Sequence, residues 1–422
     1  MAAAQWQEFD GQRYPGGRAS DPQELGWMRG APPPPDKCIS FEGDTFLDFP
    51  QIRWSLSHMR ELAATVAVWR GAGPRSGLER ADRGGEIDAL AFTDMNGAPR
   101  RFDEALHDTY TDGLLVLHRG RIVYERYFGA LQPHVPHSCF SITKSYAATL
   151  TAALVHEGVL DASRTIPHYL PAMRGTAYED ATLRQVMDMQ TGLAYSEVYA
   201  DASASIWEFP RACGLRPRPP GYAGAKTSCE YLRTLKKEGA HGEAFAYKTV
   251  NTEVMCWLVA SVTGRSLTQL LHERLWAPLG CEEDGYIVVD PAGMPMGGGG
   301  LSASLRDMAR FGELMRREGD WGGRQLIPAP VVHECRRGED PAKFAKAGYA
   351  LLPGYSYLNM WWVTHNELDA FEGRGIHGQR LYVAPKAEMV VARFASHPVA
   401  SSAANDPITL PQMLALGRLL RS

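Results

Sequence analysis

The pattern of apolar and polar positions first becomes regular near residue 114, where it predicts a β-hairpin. Residues 114–118 are apolar up to a terminal histidine, Arg119-Gly120 forms a turn, and residues 121–127 alternate between apolar and polar side chains. Alternation with a period of two is typical of a strand that buries one face. One sheet therefore begins before residue 130.

Residues 141–157 follow a helical pattern that is apolar on nearly every face. Gly158 supplies a C-terminal cap. The apolar residues of this segment include Ile142, Tyr146, Ala147, Leu150, Ala153 and Leu154. A helix without a polar face is normally buried. We therefore expect this segment to be a central helix of the core.

The middle of the chain is predicted to be mostly helical, and its end returns to strands. Helical patterns cover residues 183–190, 230–237, 249–262, 267–275 and, as an amphipathic helix, 302–316. Strand-like runs follow at residues 357–363, 375–383 and 389–395, and a last helix is predicted at residues 410–420. This order predicts an α/β fold of the α+β type, with an antiparallel sheet flanked by helices and an inserted all-helical domain.

The domain boundaries follow from the same pattern. Residues 46–158 and 291–422 are predicted to form the α/β domain, and residues 159–290 the helical domain. Residues 1–45 are rich in Gly, Pro and charge, which predicts an irregular arm that wraps over the rest or a partly disordered tail. A short helical pattern over residues 52–69 joins this arm to the first strands.

The charge balance excludes large polyanionic partners. The 422 residues include 44 Lys+Arg and 48 Asp+Glu, a net charge of −4, which gives no cationic field for nucleic acid or for an anionic membrane surface. The 45% hydrophobic and 22% charged residues are typical of a globular protein. No apolar stretch reaches the ~20 residues that cross a bilayer. A small-molecule partner is the expectation, and the oligomeric state is left open, a homodimer included.

Cysteine usage and the N-terminus favour a cytoplasmic location. The seven cysteines are scattered without a CxxC pair, which argues against a disulfide framework and against a Cys-ligated zinc site. The first ten residues have neither the basic nor the apolar region of a secretory signal.

The candidate chemistry lies at the start of the central helix, where Ser141 precedes Lys144 by three residues. Positions i and i+3 share a helix face, so the hydroxyl and the amine can form a hydrogen bond. A desolvated lysine is pushed toward its neutral form, which can accept the serine proton, and the helix N-terminus favours a developing oxyanion. The alternative is a capping Ser141 with Lys144 extended to solvent. The apolar surroundings of Lys144 favour the nucleophile and base.

Several motifs resemble those of the serine β-lactamase and penicillin-binding-protein superfamily. They are, in chain order, the tetrad Ser141-Ile-Thr-Lys144, the triplet Tyr247-Lys-Thr and the Gly-rich stretch 373–376. Further similarities cover most of the chain, at residues 188–190, 242–243, 251–252, 299–300, 361–362 and 375–379. The chain is most similar to the class C-like esterase branch and its nylon-oligomer hydrolases. The resemblance implies a β-lactamase/transpeptidase-like fold and a serine hydrolase that forms an acyl-enzyme on carboxylic esters or small amides.

The resemblance also implies roles for individual residues. Ser141 is the nucleophile, Lys144 the general base and Tyr247 the group that relays the proton to the leaving group; which of the last two accepts the first proton stays open. The oxyanion hole is formed by the backbone N–H groups of Ser141 and Ile376. The substrate-binding candidates are Tyr199, Trp362, Gly375 and His377.

The chain departs from the superfamily in its third motif. Gly373 stands where a lysine usually holds the carboxylate of a β-lactam, and Arg374 follows it. Two positions that tune amide hydrolysis in the nylon-oligomer hydrolases fall at Pro210 and Gly298, neither of which has a polar side chain. The loop at residues 202–224 differs as well. These departures argue against efficient β-lactam turnover and against the nylon-oligomer substrate, but they leave the acyl-transfer residues in place.

Other chemistry finds little support. His134, His137 and Cys139 lie in one loop, but no second cluster of metal ligands follows at zinc-finger spacing. The glycines at 297–300 are not followed by the lysine of a P-loop. Neither a metal nor a cofactor is therefore expected. Two alternatives stay open. One is a β-lactamase or D-amino-acid peptidase, and the other is a non-catalytic penicillin-binding-like sensor.

Overall fold

A seven-stranded antiparallel sheet made from both ends of the chain forms the centre of the computed structural model, which describes residues 6–201 and 203–421. Strand Met389–Ala395 lies beside strand Thr111–His118, with Val391 opposite Val116. The predicted antiparallel sheet flanked by helices is confirmed. In spatial order the strands are Ser356–Leu358, Trp361–Val363, Phe371–Gly375, Gln379–Ala384, Met389–Ala395, Thr111–His118 and Arg121–Tyr127.

A four-stranded sheet brings distant parts of the chain to the start of the central helix. Its order is Thr65–Val68, Gly285–Val288, Leu301–Ala303 and His137–Ser138. Within the described residues, three two-stranded hairpins lie outside these sheets, formed by Trp6–Phe9 with Gln12–Pro15, Ala91–Thr93 with Pro99–Arg101, and Asp320–Trp321 with Arg324–Gln325.

Helices cover both faces of the large sheet. The α-helices are Ile52–Ser55, Met59–Leu62, Gly84–Asp88, Phe102–Asp108, Ile142–His156, Ile166–Tyr169, Leu183–Met187, Ser205–Ala212, Ser228–Thr234, Thr249–Thr263, Leu267–Leu271, Ala277–Leu279, Leu305–Arg316, Ala329–Arg337, Pro341–Ala345 and Asp406–Arg421. Single turns of other helix types are the π-helical His272–Trp276 and the 3-10 helices Pro35–Lys37, Pro171–Met173, Ile376–Gly378, Pro385–Ala387 and Ser402–Ala404. Among the described residues no single helix is long and apolar enough to span a membrane. The helices Val250–Thr263 and Leu267–Leu279 reach that length and apolar character only when taken together, and the chain bends by 78° between them.

The central helix Ile142–His156 is buried as predicted, from Ile142 through Leu154. Its Thr149 hydroxyl accepts a hydrogen bond of 3.0 Å from the indole N–H of Trp361 on the large sheet. Gly373 allows the close approach, because a Cβ there would lie 3.0 Å from the hydroxyl of Ser145. Sheet and helix are therefore packed tightly at the place where the candidate motifs meet.

Three of the sequence predictions differ from the structure. The helical pattern over residues 52–69 is two short helices followed by the strand Thr65–Val68. Ser302 belongs to a strand, and the amphipathic helix begins only after Ser304, whose side chain accepts from the N–H of Asp307. The segment 159–290 is not all helical, since it contributes the strand Gly285–Val288 to the smaller sheet. In each case pairing with a distant strand overrides the local pattern.

The late strands are also shorter than predicted. The run 357–363 is split into two strands because Asn359 and Met360 form a turn with φ values of 49° and 57°. The run 375–383 is split by the turn Ile376–Gly378. This second turn places Ile376 at the end of a strand instead of inside one.

The N-terminal arm is not irregular throughout, since it contains the hairpin formed by Trp6–Phe9 and Gln12–Pro15. Residues 1–5 of the predicted arm lie outside the described residues. The buried guanidinium of Arg53 holds the arm against the sheet: it donates to Ser20 Oγ at 2.9 Å and to the carbonyl of Gly17, and it pairs with Asp112 at 3.3 Å.

Candidate active site

Ser141 lies at the junction between the four-stranded sheet and the central helix. Cys139 donates to the carbonyl of Leu301 at 2.8 Å, and the N–H of Leu301 donates to the Thr143 hydroxyl at 3.1 Å. Between them Phe140 has a φ of 42°. A bulky residue with positive φ is strained, and such strain is concentrated at functional sites. The turn holds Ser141 at the N-terminal end of the helix.

Lys144 meets Ser141 one helical turn further on. Its Nζ lies 2.8 Å from the Ser141 Oγ, and the side chain is 1% exposed. Burial lowers the pKa of Lys144 to about 8, although the charges of Glu197 and Glu253 act in the opposite direction. Lys144 therefore does not extend to solvent, and part of its population is neutral near pH 8.

The carbonyl of Gly298 is the second group that contacts this pair. It accepts a hydrogen bond of 2.5 Å from Lys144 and one of 3.4 Å from the Ser141 hydroxyl. The Gly-rich stretch 297–300, which looked like a weak phosphate loop in the sequence, thus orients the serine and the lysine.

Glu253 fixes that loop, and the sequence analysis missed it. Its carboxylate accepts hydrogen bonds from the N–H groups of Gly297 and Gly298, at 3.0 and 2.8 Å. Burial raises the pKa of Glu253 to about 7, while these hydrogen bonds and Lys144 act in the opposite direction. One signal was available in the sequence: Glu253 is the only charged residue in the helix Thr249–Thr263.

We expect Gly298→Ala to lower kcat/KM by at least about tenfold, because a misplaced reacting group costs about that much or more. A Cβ at this position would lie 2.4 Å from Thr249 Cγ2 and 2.7 Å from Glu253 Oε1, so the carbonyl that orients Lys144 has to move. Gly299→Ala is the matched control, since its Cβ would meet nothing closer than 3.7 Å. Ester turnover by the two variants checks this, and a larger loss in the control would contradict it.

Tyr247 reaches the same place from the loop that precedes the helix Thr249–Thr263. Its ring lies 5.0 Å from the Lys144 Nζ and 5.5 Å from the ring of Trp362. Burial and the charge of Glu197 raise the pKa of Tyr247 well above its ordinary value, against the effect of a hydrogen bond with Ser141. The structure therefore brings together all three residues that the sequence assigned to catalysis.

Glu197 is a second acidic residue that the sequence analysis missed. It accepts a hydrogen bond of 3.1 Å from the hydroxyl of Tyr199 and another from the N–H of Thr249, the first residue of the helix after Tyr247. Burial raises the pKa of Glu197, and the charge of Lys144 lowers it. Glu197 thus connects the loop that carries Tyr199 to the loop that carries Tyr247.

A cavity of about 350 Å³, called here the wide cavity, opens beside these residues. Of the predicted substrate-binding residues, Tyr199, Trp362 and Gly375 line it, as do Ser141 and Ile376. His377 is not among the described residues that line it. The His377 ring is buried, and its Nδ1 lies 2.7 Å from the carbonyl of His397, so the structure gives His377 a supporting position behind Ile376.

Arg374 borders the wide cavity with its charge already compensated. Its guanidinium donates to Glu372 at 3.0 Å and to Asp406 at 2.5 Å, and it stacks 5.3 Å from the ring centre of Trp362. The Arg374 guanidinium therefore does not take over the role of the lysine that the superfamily usually has at the position of Gly373.

In the described part of the chain, the side chain of His137, from the histidine loop, forms its hydrogen bonds with Ser138 and Asp112 and not with the catalytic candidates. His137 is buried, and its Nε2 lies 3.2 Å from Asp112. Within the described residues no group of three or more His, Cys, Asp or Glu side chains is arranged to hold a metal ion.

Comparison with known proteins reveals similarity over most of the chain. The family model described as Beta-lactamase matches residues 100–410. A 6-aminohexanoate-dimer hydrolase of Paenarthrobacter ureafaciens is 32% identical over 387 residues, which is 92% of this chain and 91% of that protein.

Solved structures are similar to this chain as well. The structure titled "Putative 6-aminohexanoate-dimer hydrolase from Bacillus anthracis" has a TM-score of 0.82 and 31% identity, and the match covers 89% of this chain and 96% of that one. A D-stereospecific amidohydrolase from Streptomyces has a TM-score of 0.52 and 17% identity, over 71% of this chain and 94% of that one, which shows likeness of fold alone.

Proposed function

We propose, from the premise that this chain belongs to the β-lactamase family, that it is a serine hydrolase that cleaves carboxylic esters, and small amides less readily, through an acyl-enzyme. The observation that carries the proposal is the 2.8 Å contact between the Ser141 hydroxyl and the buried Lys144. A buried amine with a pKa of about 8 is costly to maintain, and such costs are concentrated at catalytic sites. The preference for esters is supported by Pro210 and Gly298, which offer no polar side chain to an amide substrate.

The acylation step uses three side chains and two backbone donors. Neutral Lys144 accepts the Ser141 proton while the Oγ attacks the carbonyl carbon. The oxygen of the tetrahedral intermediate is held by the N–H groups of Ser141 and Ile376, which is worth about 3 kcal/mol per donor. Tyr247 passes a proton to the leaving group, the bond to the alcohol or amine breaks, and Tyr247 is reprotonated from Lys144.

Deacylation repeats these steps with water in place of the serine. Water approaches the acyl carbon from the side that the leaving group has left and gives its proton to the Tyr247–Lys144 pair. The ester bond to Ser141 breaks, the serine recovers a proton, and the carboxylic acid leaves. Because the wide cavity adjoins Ser141 and Tyr247, it offers a path for this water.

The two candidate bases differ in their electrostatic environment. Burial lowers the pKa of Lys144 to about 8, and it raises the pKa of Tyr247 well above its ordinary value. The neutral amine is therefore available near neutral pH, whereas the phenolate is not. This difference supports Lys144 as the first proton acceptor.

Two experiments test the proposal against its alternatives. Intact-mass spectrometry after a serine-directed fluorophosphonate, with peptide mapping, is expected to show one adduct on Ser141, together with turnover of p-nitrophenyl butyrate. No adduct and no turnover would favour the non-catalytic sensor. Nitrocefin is expected to be hydrolysed poorly, because Gly373 lacks the cation that holds the β-lactam carboxylate; efficient hydrolysis would favour the β-lactamase alternative.

We expect kcat/KM to rise with pH through an apparent pKa of about 8, since only neutral Lys144 accepts the proton. Glu197→Gln removes a negative charge that favours charged Lys144, so the rising limb should shift to lower pH, by roughly half to one unit. Glu388→Gln, at an exposed ion pair with Arg119, is the control and should not shift it. Profiles measured between pH 6 and 10 check this, and a shift to higher pH in Glu197→Gln would contradict it.

A further inference from the structure

A second cavity, of about 170 Å³ and called here the apolar cavity, also borders Ser141. It shares Ser141, Tyr199 and Ile376 with the wide cavity. A chemical group attached to the reacting carbon can therefore enter either cavity while the carbonyl stays at Ser141. A substrate has two parts, or arms, on either side of the bond that is cleaved, the acyl chain and the leaving group, and each cavity can hold one of them.

The lining of the apolar cavity is suited to uncharged groups. Its walls are mainly aromatic and aliphatic, with Phe46, Leu47, Leu62, Ile206, Trp207 and Leu215 among them. Two charged side chains, Arg216 and Glu253, are also among the described lining residues. Both are already engaged, Arg216 with Asp44 and Glu253 with the N–H groups of Gly297 and Gly298. A charged substrate arm would lose water there without gaining a new partner.

One wall of this cavity comes from the end of the N-terminal arm and the two residues that follow it, residues 41–47, called here the arm wall. Phe41 stacks on Phe46 with ring centres 6.0 Å apart. Asp44 accepts two hydrogen bonds from Arg216, at 2.7 and 3.1 Å, and the Arg216 guanidinium lies 5.6 Å from the ring centre of Trp207. The arm wall is thereby fastened to the helix Ser205–Ala212 and to the loop that follows it.

Tyr247 distinguishes the two cavities. It borders the wide cavity and is not among the described residues that line the apolar one. In the proposed mechanism the leaving group takes its proton from Tyr247, so it has to lie in the wide cavity. The other arm of the substrate, the acyl chain, is then left with the apolar cavity.

We propose that the apolar cavity, with the arm wall as one side, binds the acyl chain, so that the preferred substrates are esters or amides of uncharged, apolar carboxylic acids. This inference rests on the proposed function and adds the substrate class to it. It also gives the N-terminal arm a role in selecting substrates. Pro210, which lines the cavity, is consistent with such a chain, since it presents only carbon atoms.

Chain length tests the proposal. Each methylene moved from water into an apolar site is worth about fourfold in binding, so p-nitrophenyl hexanoate is expected to exceed p-nitrophenyl acetate in kcat/KM by at least about tenfold. Leu47→Trp fills the cavity from the arm wall, and Leu215→Trp fills it from the loop that follows the helix Ser205–Ala212. Both should lower the hexanoate-to-acetate ratio by at least about fivefold.

Leu90→Trp is the matched control, because Leu90 is also half-buried but packs against a different hydrophobic cluster, which includes Phe102 and Met413. Its hexanoate-to-acetate ratio should equal that of the wild type. Thermal unfolding of each variant identifies any protein that fails to fold. Because Leu47→Trp and Leu215→Trp change different parts of the chain, one of them can still be measured if the other does not fold.

A pair of esters with exchanged arms tests which cavity takes which arm. Methyl hexanoate should be hydrolysed faster than hexyl acetate, because only the first has its long chain on the acyl side. A preference for hexyl acetate, or an unchanged hexanoate-to-acetate ratio in both folded filling variants, would overturn the inference while a Ser141 adduct left the proposed function standing. Absence of both adduct and turnover in the wild type would instead overturn the function itself.

Discussion

Replacement of Ser141 by alanine is expected to abolish ester turnover, with kcat lowered by a factor on the order of 10⁴ or more. The alanine removes the only atom that the proposed mechanism bonds to the acyl group. The backbone N–H groups of residue 141 and Ile376 are kept, and the alanine removes only one oxygen from the lining of the two cavities. A small residual rate above that in water should therefore remain. Turnover of p-nitrophenyl butyrate, measured on enzyme checked for folding, gives the result.

Ser145→Ala is the matched control for this prediction. Ser145 lies one turn further along the same helix, is equally buried, and donates to the carbonyl of Met360 at 2.8 Å. Its loss should lower stability by about 1 kcal/mol, the net worth of a typical hydrogen bond, and leave turnover within a few-fold of the wild type. Equal turnover by wild type and Ser141→Ala would mean that the Ser141–Lys144 motif is structural.

Replacement of Lys144 by methionine is expected to lower kcat/KM by a factor on the order of 10³ or more, because Ser141 loses its proton acceptor. The rate at which a fluorophosphonate labels Ser141 should fall with it, since labelling needs the same activated hydroxyl. Lys237→Met, at an exposed ion pair with Asp180, is the control. Undiminished labelling in Lys144→Met would contradict the assignment of the base.

The same substitution should not destabilise the protein at pH 7. The pKa of Lys144 is lower in the folded state than in the unfolded state, so the unfolded chain binds more protons and the wild type gains stability as the pH rises from about 8 toward 10.5. Below pH 8 the cost of holding this amine is fully present, up to about 3 kcal/mol. Lys144→Met removes that cost, partly offset by two lost hydrogen bonds. Denaturant unfolding at pH 7 and pH 10 checks the sign.

Much of the fold followed from local patterns. The hairpin before residue 130 and the buried helix after Ser141 are regular in periodicity, and both are present as predicted. The family resemblance drawn from the motifs is confirmed by the family match and by the relative that is 32% identical. The β-lactamase-like fold implied by that resemblance is confirmed as well. These features depend on residues close together in the chain or on motifs in a fixed order.

The errors arose where distant segments pair. Gly285–Val288 lies in a predicted helical domain, yet it forms a strand because Thr65–Val68 and Leu301–Ala303 offer their edges on either side. Ser302 is part of that pairing and not of the helix that follows. Local propensity is a weak guide when a partner strand satisfies the backbone hydrogen bonds.

By itself, the sequence determined the placement of Ser141 and Lys144 on one helix face, because a separation of three residues in an apolar helix permits no other arrangement. Only the tertiary structure decided what surrounds that pair. The Gly298 carbonyl contacts both residues, and the carboxylates of Glu253 and Glu197 act on the charge of Lys144. The arm wall borders a cavity together with Ser141. These groups come from segments far apart in the chain, brought together by the packing of the core. Burial and these neighbours together set the pKa of Lys144. Electrostatic effects of this kind depend on distances in space, and the local periodicity of a sequence does not determine the distances between residues that are far apart in the chain.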